Sequence, residues 1–314
     1  MGKILGLGEA VVDFIRLSEP EGGVAEYKLY SGGSVANFCV AAAKMGADVT
    51  FAGKLGEDDF SSLILSALEE YGVNTKGAVL SKKYGTLLSF VKAIPDGNRS
   101  YSFLNGPGAD KMLENQEFDR SLLVKADVLH VSSIIMAGGK PSSSTQLAVL
   151  REAKNLGKTV TYDLNYRPAF FENEEEAHRS ILLSVPYADI IKGTEEEIRM
   201  LYDLDMDATA ERLLSAGISL VVVTRGAKGS ILYGRDYKIE LDAGDAKPLD
   251  TTAAGDCFFG SLIASLMAQE KPMSLDRKSV ERAAHIARAA AAISITRSGG
   301  MQSMPYLREI EQNG

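Results

Sequence analysis

The segment Asp250-Thr251-Thr252-Ala253-Ala254-Gly255-Asp256 brings together the residue types needed to handle an anion. Cys257, Phe258, Phe259, Leu262, Ile263, Leu266 and Met267 follow at the spacing of one buried helix face, so a helix starts near Ala254. The first N–H groups of that helix lack intrahelical acceptors, and the small Ala253, Ala254 and Gly255 let an anion approach them. Asp256 then falls in the first turn. A carboxylate there would repel an anion, unless it takes the proton of an attacking hydroxyl while the N–H groups stabilise a transferring phosphoryl group. On spacing alone, an aspartate that merely complements the helix dipole is an equal reading.

Two further segments could serve a ligand. Tyr30-Ser31-Gly32-Gly33-Ser34-Val35-Ala36-Asn37 leads into a helical pattern that Gly46 ends; the glycine pair allows close backbone approach, and Asn37 offers a donor and an acceptor to a polyol. Val221-Val222-Val223-Thr224-Arg225-Gly226-Ala227-Lys228-Gly229 reads as a strand ending in a glycine-spaced turn that can line a nucleotide. Each taken alone reads more readily as an ordinary turn. Other chemistries lack their residues: Asp48 stands where a P-loop ending in Gly53-Lys54 needs its first glycine, and Gly6-Leu7-Gly8 lacks the third glycine of a dinucleotide fingerprint. His130, His178 and His285 are scattered without metal-ligand spacing.

These segments need a scaffold, and short β-rich runs alternating with helical patterns predict a mostly parallel sheet covered by helices on both faces. Strands are expected at 3–8, 49–53, 128–132, 159–163, 189–192 and 220–224. Helices are expected at 35–45, 58–71, 143–156, 174–184, 208–216, 254–268 and 280–296. The runs 86–93 and 99–103 flank Pro95-Asp96-Gly97-Asn98 and read as a hairpin; with the segment 26–30 they would form a small sheet serving as a lid.

The 314 residues are 45% hydrophobic and 24% charged, ordinary for a folded globular chain. A net charge of −8 argues against nucleic acid as a partner, but not against a small anion held locally. Cys39 and Cys257 sit inside apolar helical patterns and read as small buried hydrophobes in a reducing compartment. With no apolar stretch of about 18 residues and no cleavage-like site, the chain is expected to be cytoplasmic, without a membrane.

In this order and at these distances, the three segments resemble the ribokinase-like (PfkB) carbohydrate kinase family, over essentially the whole chain. The resemblance implies one three-layer α/β/α catalytic domain spanning 1–314, with a mostly parallel central sheet and a small β-sheet lid from about 10–31 and 84–106. It implies catalysis by Asp256, with Ala253, Ala254 and Gly255 forming the anion hole. Sugar contacts would come from Asp13, Gly32, Gly33, Asn37, Arg99, Phe103 and Arg167, and nucleotide contacts from Lys192, Thr194, Thr224, Gly226 and Gly229. Glu197 would hold Mg²⁺ through water. Asp250, Thr252, Gly299 and Ser303 fall where some relatives bind a monovalent cation such as K⁺. The chain departs from the family pattern at Ala253, where glycine is usual, and at Thr194, where asparagine is usual.

Asp163-Leu164-Asn165-Tyr166-Arg167-Pro168, Asp96–Phe103 and Pro107-Gly108-Ala109-Asp110 look most like fructokinases. The resemblance therefore implies ATP-dependent conversion of fructose to fructose 6-phosphate. A 2-keto-3-deoxygluconate kinase is the alternative, since the Arg167 guanidinium suits a carboxylate as well as a phosphate. Ribokinase and aminoimidazole riboside kinase come next, and a non-catalytic sugar or nucleotide sensor is the rival from another class. Relatives often pair through the lid, so a homodimer is expected.

Overall fold

The computed structural model describes residues 2–17, 24–93, 99–104, 108–139 and 141–312. In chain order the strands are β1 (Lys3–Leu7), β2 (Val11–Arg16), β3 (Tyr27–Gly32), β4 (Asp48–Gly56), β5 (Val73–Ser81), β6 (Leu87–Ala93), β7 (Arg99–Phe103), β8 (Val128–Ser132), β9 (Thr159–Asp163), β10 (Ile190–Thr194), β11 (Leu220–Thr224), β12 (Ser230–Gly234) and β13 (Tyr237–Leu241). The helices are α1 (Ser34–Lys44), α2 (Asp59–Glu70), α3 (Arg120–Lys125), α4 (Pro141–Asn155), α5 (Glu174–Leu182), α6 (Glu195–Met200), α7 (Met206–Ser215), α8 (Ala254–Met267), α9 (Arg277–Ser294) and α10 (Leu307–Glu311).

Among the described residues, nine strands form one sheet in the order β13-β12-β11-β10-β9-β8-β1-β4-β5. From β11 to β5 every pairing is parallel; β12 and β13 add an antiparallel edge. The interior strands are buried on both faces; β11 is a near-continuous apolar run, whereas β8, β9 and β10 also bury polar side chains such as His130, Thr161 and Lys192. In β11, Leu220 and Val222 join a core beneath α1, α2, α8, α9 and α10, whereas Val221 and Val223 join a second core beneath α3 to α7. Each such side chain, fully buried, contributes about 1.5–3 kcal/mol. The expected helix–sheet–helix layering is present, and both cysteines are buried free thiols.

Helices α1 and α8 press together: a Cβ added at Gly260 would sit 2.5 Å from the Phe38 carbonyl oxygen. That contact brings two helices far apart in sequence side by side.

The second sheet has the order β3-β2-β6-β7. Its β6–β7 pair is the expected hairpin, with Ser89 opposite Phe103; the turn at 95–98 lies outside the described residues. Phe14 of β2 stacks on Phe90 at 4.9 Å and meets Phe60 of α2 edge-on at 5.8 Å. Asp58, the N-cap of α2, accepts from Ser61 N–H at 2.9 Å and also from Thr86 N–H at 2.9 Å and Thr86 Oγ1 at 2.8 Å. One carboxylate thus caps a helix and fastens the root of β6.

Sequence periodicity missed β5, β12 and β13. As an edge strand β5 is largely half-exposed and carries Lys76 and Gly77, so it lacks the apolar run that marks its neighbours. Among the described residues no helix is long and apolar enough to cross a membrane.

Candidate active site

A cleft opens between the small sheet and the start of α8, and its walls include Asp13, Gly33, Asn37, Phe103, Arg167, Thr252, Ala253 and Asp256. The chain after β1 and the first turn of α1 help line it, as expected where ligands bind beyond the carboxyl ends of parallel strands.

Asp256 lies in the first turn of α8, whose N-cap Ala253 provides no side-chain hydrogen bond. Ala254 N–H donates to the Thr251 carbonyl at 3.3 Å, and the N–H groups that follow it in the first turn remain able to meet an anion. Ala253 adopts a left-handed conformation, φ 59° and ψ 11°, which costs a non-glycine residue about 1–2 kcal/mol. That explains a preference for glycine here, and shows that alanine tolerates the turn. Asn37 Nδ2 donates to Asp256 Oδ2 at 2.9 Å, and Ser34 Oγ donates to Oδ1 at 3.2 Å. The amide expected to serve a polyol thus also orients the carboxyl. Burial pushes the Asp256 carboxyl up to about 6, against the pull of Lys192.

Gly33 caps α1 with φ 101°, and a Cβ there would lie 2.6 Å from Ala10 Cα. Only glycine fits on both counts. Gly32 backs onto Asp13: its added Cβ would meet Asp13 Oδ2 at 2.6 Å. Asp13 is buried and accepts a hydrogen bond from Ser89 Oγ of β6. Phe103 meets Phe170 with ring centroids 4.3 Å apart and closes one wall. The Arg99 backbone belongs to β7, but its side chain lies outside the described residues.

Lys192, on β10, is buried and pairs with Asp163 at 3.0 and 3.1 Å. Its ammonium also underlies the start of α8, 2.9 Å from where a Gly255 Cβ would be. Burial alone would depress it, but Asp163, Asp256 and Glu197 hold it above its ordinary range. Glu197 accepts from Tyr166 N–H and from Thr194 N–H, both at 2.8 Å. It thus fastens the Asp163–Arg167 turn to α6. Thr194 caps α6, accepting from Glu197 N–H at 3.2 Å, a task threonine performs much as asparagine does. Burial raises the Glu197 carboxyl and Lys192 opposes it.

Thr224 ends β11 beside Thr194, and its hydroxyl lies 3.4 Å from the Gly193 carbonyl. Gly226 and Gly229 take φ 54° and 84°, and a Cβ on Gly229 would run into the Leu241 carbonyl, 1.9 Å away. These turn residues lie outside the cleft lining. Asp250 accepts from Thr252 N–H at 2.8 Å and Gly299 N–H at 3.0 Å, tying the approach to α8 to the segment after α9. Ser303 Oγ donates to Gly300 O at 2.8 Å, and buried Thr252 Oγ1 has no partner among the described residues.

Sequence reasoning missed Glu9, Ser34, Ser89, Asn165 and Phe170, all of which line the cleft. For Glu9 a signal existed: an acidic residue interrupts the otherwise apolar run from Ile4 to Val12.

The chain is 33% identical to fructokinase-1 of Oryza sativa subsp. japonica, over 98% of this chain and 96% of the relative. Fructokinase from Xylella fastidiosa with bound ATP superposes with a TM-score of 0.90 at 29% identity, covering 99% of both chains. Fructokinase from Vibrio cholerae O395, in its fructose-, ADP- and calcium-bound form, gives a TM-score of 0.88 at 28% identity, covering 99% of this chain and 98% of the other. A model described as the pfkB family carbohydrate kinase matches residues 1–307, and the chain belongs to that family of carbohydrate kinases.

Proposed function

We propose that the protein is a fructokinase, transferring the terminal phosphoryl group of ATP to a primary hydroxyl of fructose to give fructose 6-phosphate. The observation that carries this reading is Asp256, placed at the uncapped start of α8 and in the same cleft as Asp13 and Asn37. The similarity to fructokinases over nearly the whole chain supports fructose as the sugar.

Asp13, the Gly32-Gly33 turn and Asn37 seat the sugar, with Phe103, Arg99 and Arg167 at its margin. Asp256 accepts the hydroxyl proton, and the opening N–H groups of α8, at Ala253, Ala254 and Gly255, receive the phosphoryl charge. Thr194, Thr224, Gly226 and Gly229 hold the nucleotide, with Lys192 beneath its phosphates. The small sheet, from about 10–31 and 84–106, closes over the sugar as a lid on the one catalytic domain and excludes water.

Mg²⁺ suits Glu197, whose carboxylate keeps lone pairs beyond its two backbone bonds and offers the hard oxygen this ion prefers through water. When bound, the ion would neutralise charge on the nucleotide phosphates. Asp250, Thr252, Gly299 and Ser303 suit a monovalent cation such as K⁺, the orphaned Thr252 Oγ1 being the group such an ion would satisfy.

A Gly255→Val substitution is expected to lower kcat at least about 100-fold, because its side chain would enter both the Lys192 contact and the anion hole. Unchanged turnover in a folded variant would remove the anion hole from this site. Arg167 in the cleft favours one second reading, 2-keto-3-deoxygluconate kinase, in which the guanidinium pairs with the substrate carboxylate. Coupled assays of ADP release with fructose, 2-keto-3-deoxygluconate, ribose and aminoimidazole riboside decide between these. Preference for fructose confirms the reading, and preference for the keto acid reassigns the substrate.

The exposed Tyr27 and Leu29 of the small sheet support a homodimer through that face. Sedimentation showing only monomer at working concentration would reject it. The two buried free thiols suit the reducing cytoplasm.

A further inference from the structure

Glu9 is the acidic cleft residue to which the functional reading gives no task. It follows β1, is 1% exposed, and lines the same cleft as Asp13 and Asp256. Its Oε2 accepts from Ser132 Oγ at 2.9 Å and its Oε1 from Val35 N–H at 3.3 Å. A carboxylate has about four lone-pair sites, so acceptor capacity remains. The cation acting on it, Lys111, is engaged with the Ile134 carbonyl and lies 3.8 Å from Asp110. Burial pushes the Glu9 carboxyl up to about 7, so it stands largely uncompensated. Holding one N–H of α1 at 3.3 Å would need only an uncharged amide. A buried carboxyl with no ion-pair partner among the described residues, on a residue that lines a cleft, is a pattern of binding sites.

We propose that Glu9 is a third sugar-binding carboxyl, accepting a hydrogen bond from a sugar hydroxyl other than those served by Asp13 and Asp256. This rests on the sugar kinase reading above and adds a determinant of which sugar is chosen. A site built to bond a hydroxyl rejects the analogue that lacks it, because its own polar group is left without a partner.

The test is titration calorimetry of the wild type and Glu9→Gln with fructose and each of its monodeoxy analogues. The wild type should lose about 10-fold or more in affinity for one analogue. Glu9→Gln should bind fructose about 10-fold more weakly and no longer distinguish fructose from that analogue. Equal weakening across the whole set would assign Glu9 to holding α1, and unchanged affinities would leave it no role in sugar binding; either overturns the proposal. If the wild type does not bind fructose, the functional reading itself fails, an outcome distinct from these. Ser132→Ala provides a second route, because it frees an Oε2 lone pair without changing charge. Its effect on fructose affinity should vanish in the Glu9→Gln background, and an equal effect in both backgrounds would also overturn the proposal.

Discussion

Asp256→Asn will lower kcat by about 10²–10⁴-fold, the range supplied by a positioned general base, while leaving the fold intact. An asparagine preserves the shape that Asn37 and Ser34 contact but cannot take the proton. In the wild type kcat/KM will fall as pH drops through about 6, because the base must be ionised and burial raises it to about 6 in the free protein. Stability runs the other way. A carboxyl raised on folding contributes most below its ordinary value of 3.8, and that contribution is lost as pH rises through about 6. The variant has no charge to bury, so its stability relative to the wild type should grow between pH 4 and pH 7. Urea unfolding and kcat/KM profiles across that window check both signs. Wild-type turnover in the variant would take the base role from Asp256.

Lys192→Met is expected to destabilise the protein by about 3–5 kcal/mol, the usual consequence of leaving one member of a buried ion pair alone. Asp163 would lose both of its Lys192 hydrogen bonds, and Asp256 and Glu197 would lose the cation they share. Adding Asp163→Asn should restore most of that stability, since removing both charges relieves the burial. Turnover should not return with it: kcat should stay at least about 10²-fold down, because the cation beneath the phosphoryl site is gone. Recovery of both would make the pair purely architectural, and a single variant as stable as the wild type would mean that the two groups are not buried together.

The readability of the sequence followed burial. Strands β8, β9 and β11 begin and end where the sequence places them, although β8 and β9 also bury His130, Ser132, Thr161 and Asp163 beside their apolar residues. The half-exposed edge strand β5 escaped. In the site, Asp256 and the glycine turn were legible because a helix start and a positive φ each restrict residue type locally. The bond from Asn37 to Asp256 spans 219 residues, and nothing in either segment announces the other. Glu197 shows a further limit: its spacing from Thr194 was visible, yet that it fastens the turn carrying Arg167 appears only once β9 and β10 lie side by side.

The double duty of Asp58 has a mechanical consequence. Because the cap of α2 also grips Thr86, the small sheet behaves as a cantilever clamped at the root of β6, and swinging it there would tear out the helix cap. If the sheet closes as proposed, Leu87, next to the clamp and in the cleft wall, would stay nearly stationary, with displacement growing along β6 away from it. Under that proposal the near wall of the cleft would act as a rigid gauge, and the adjustable part of the grip would be the far span of the beam.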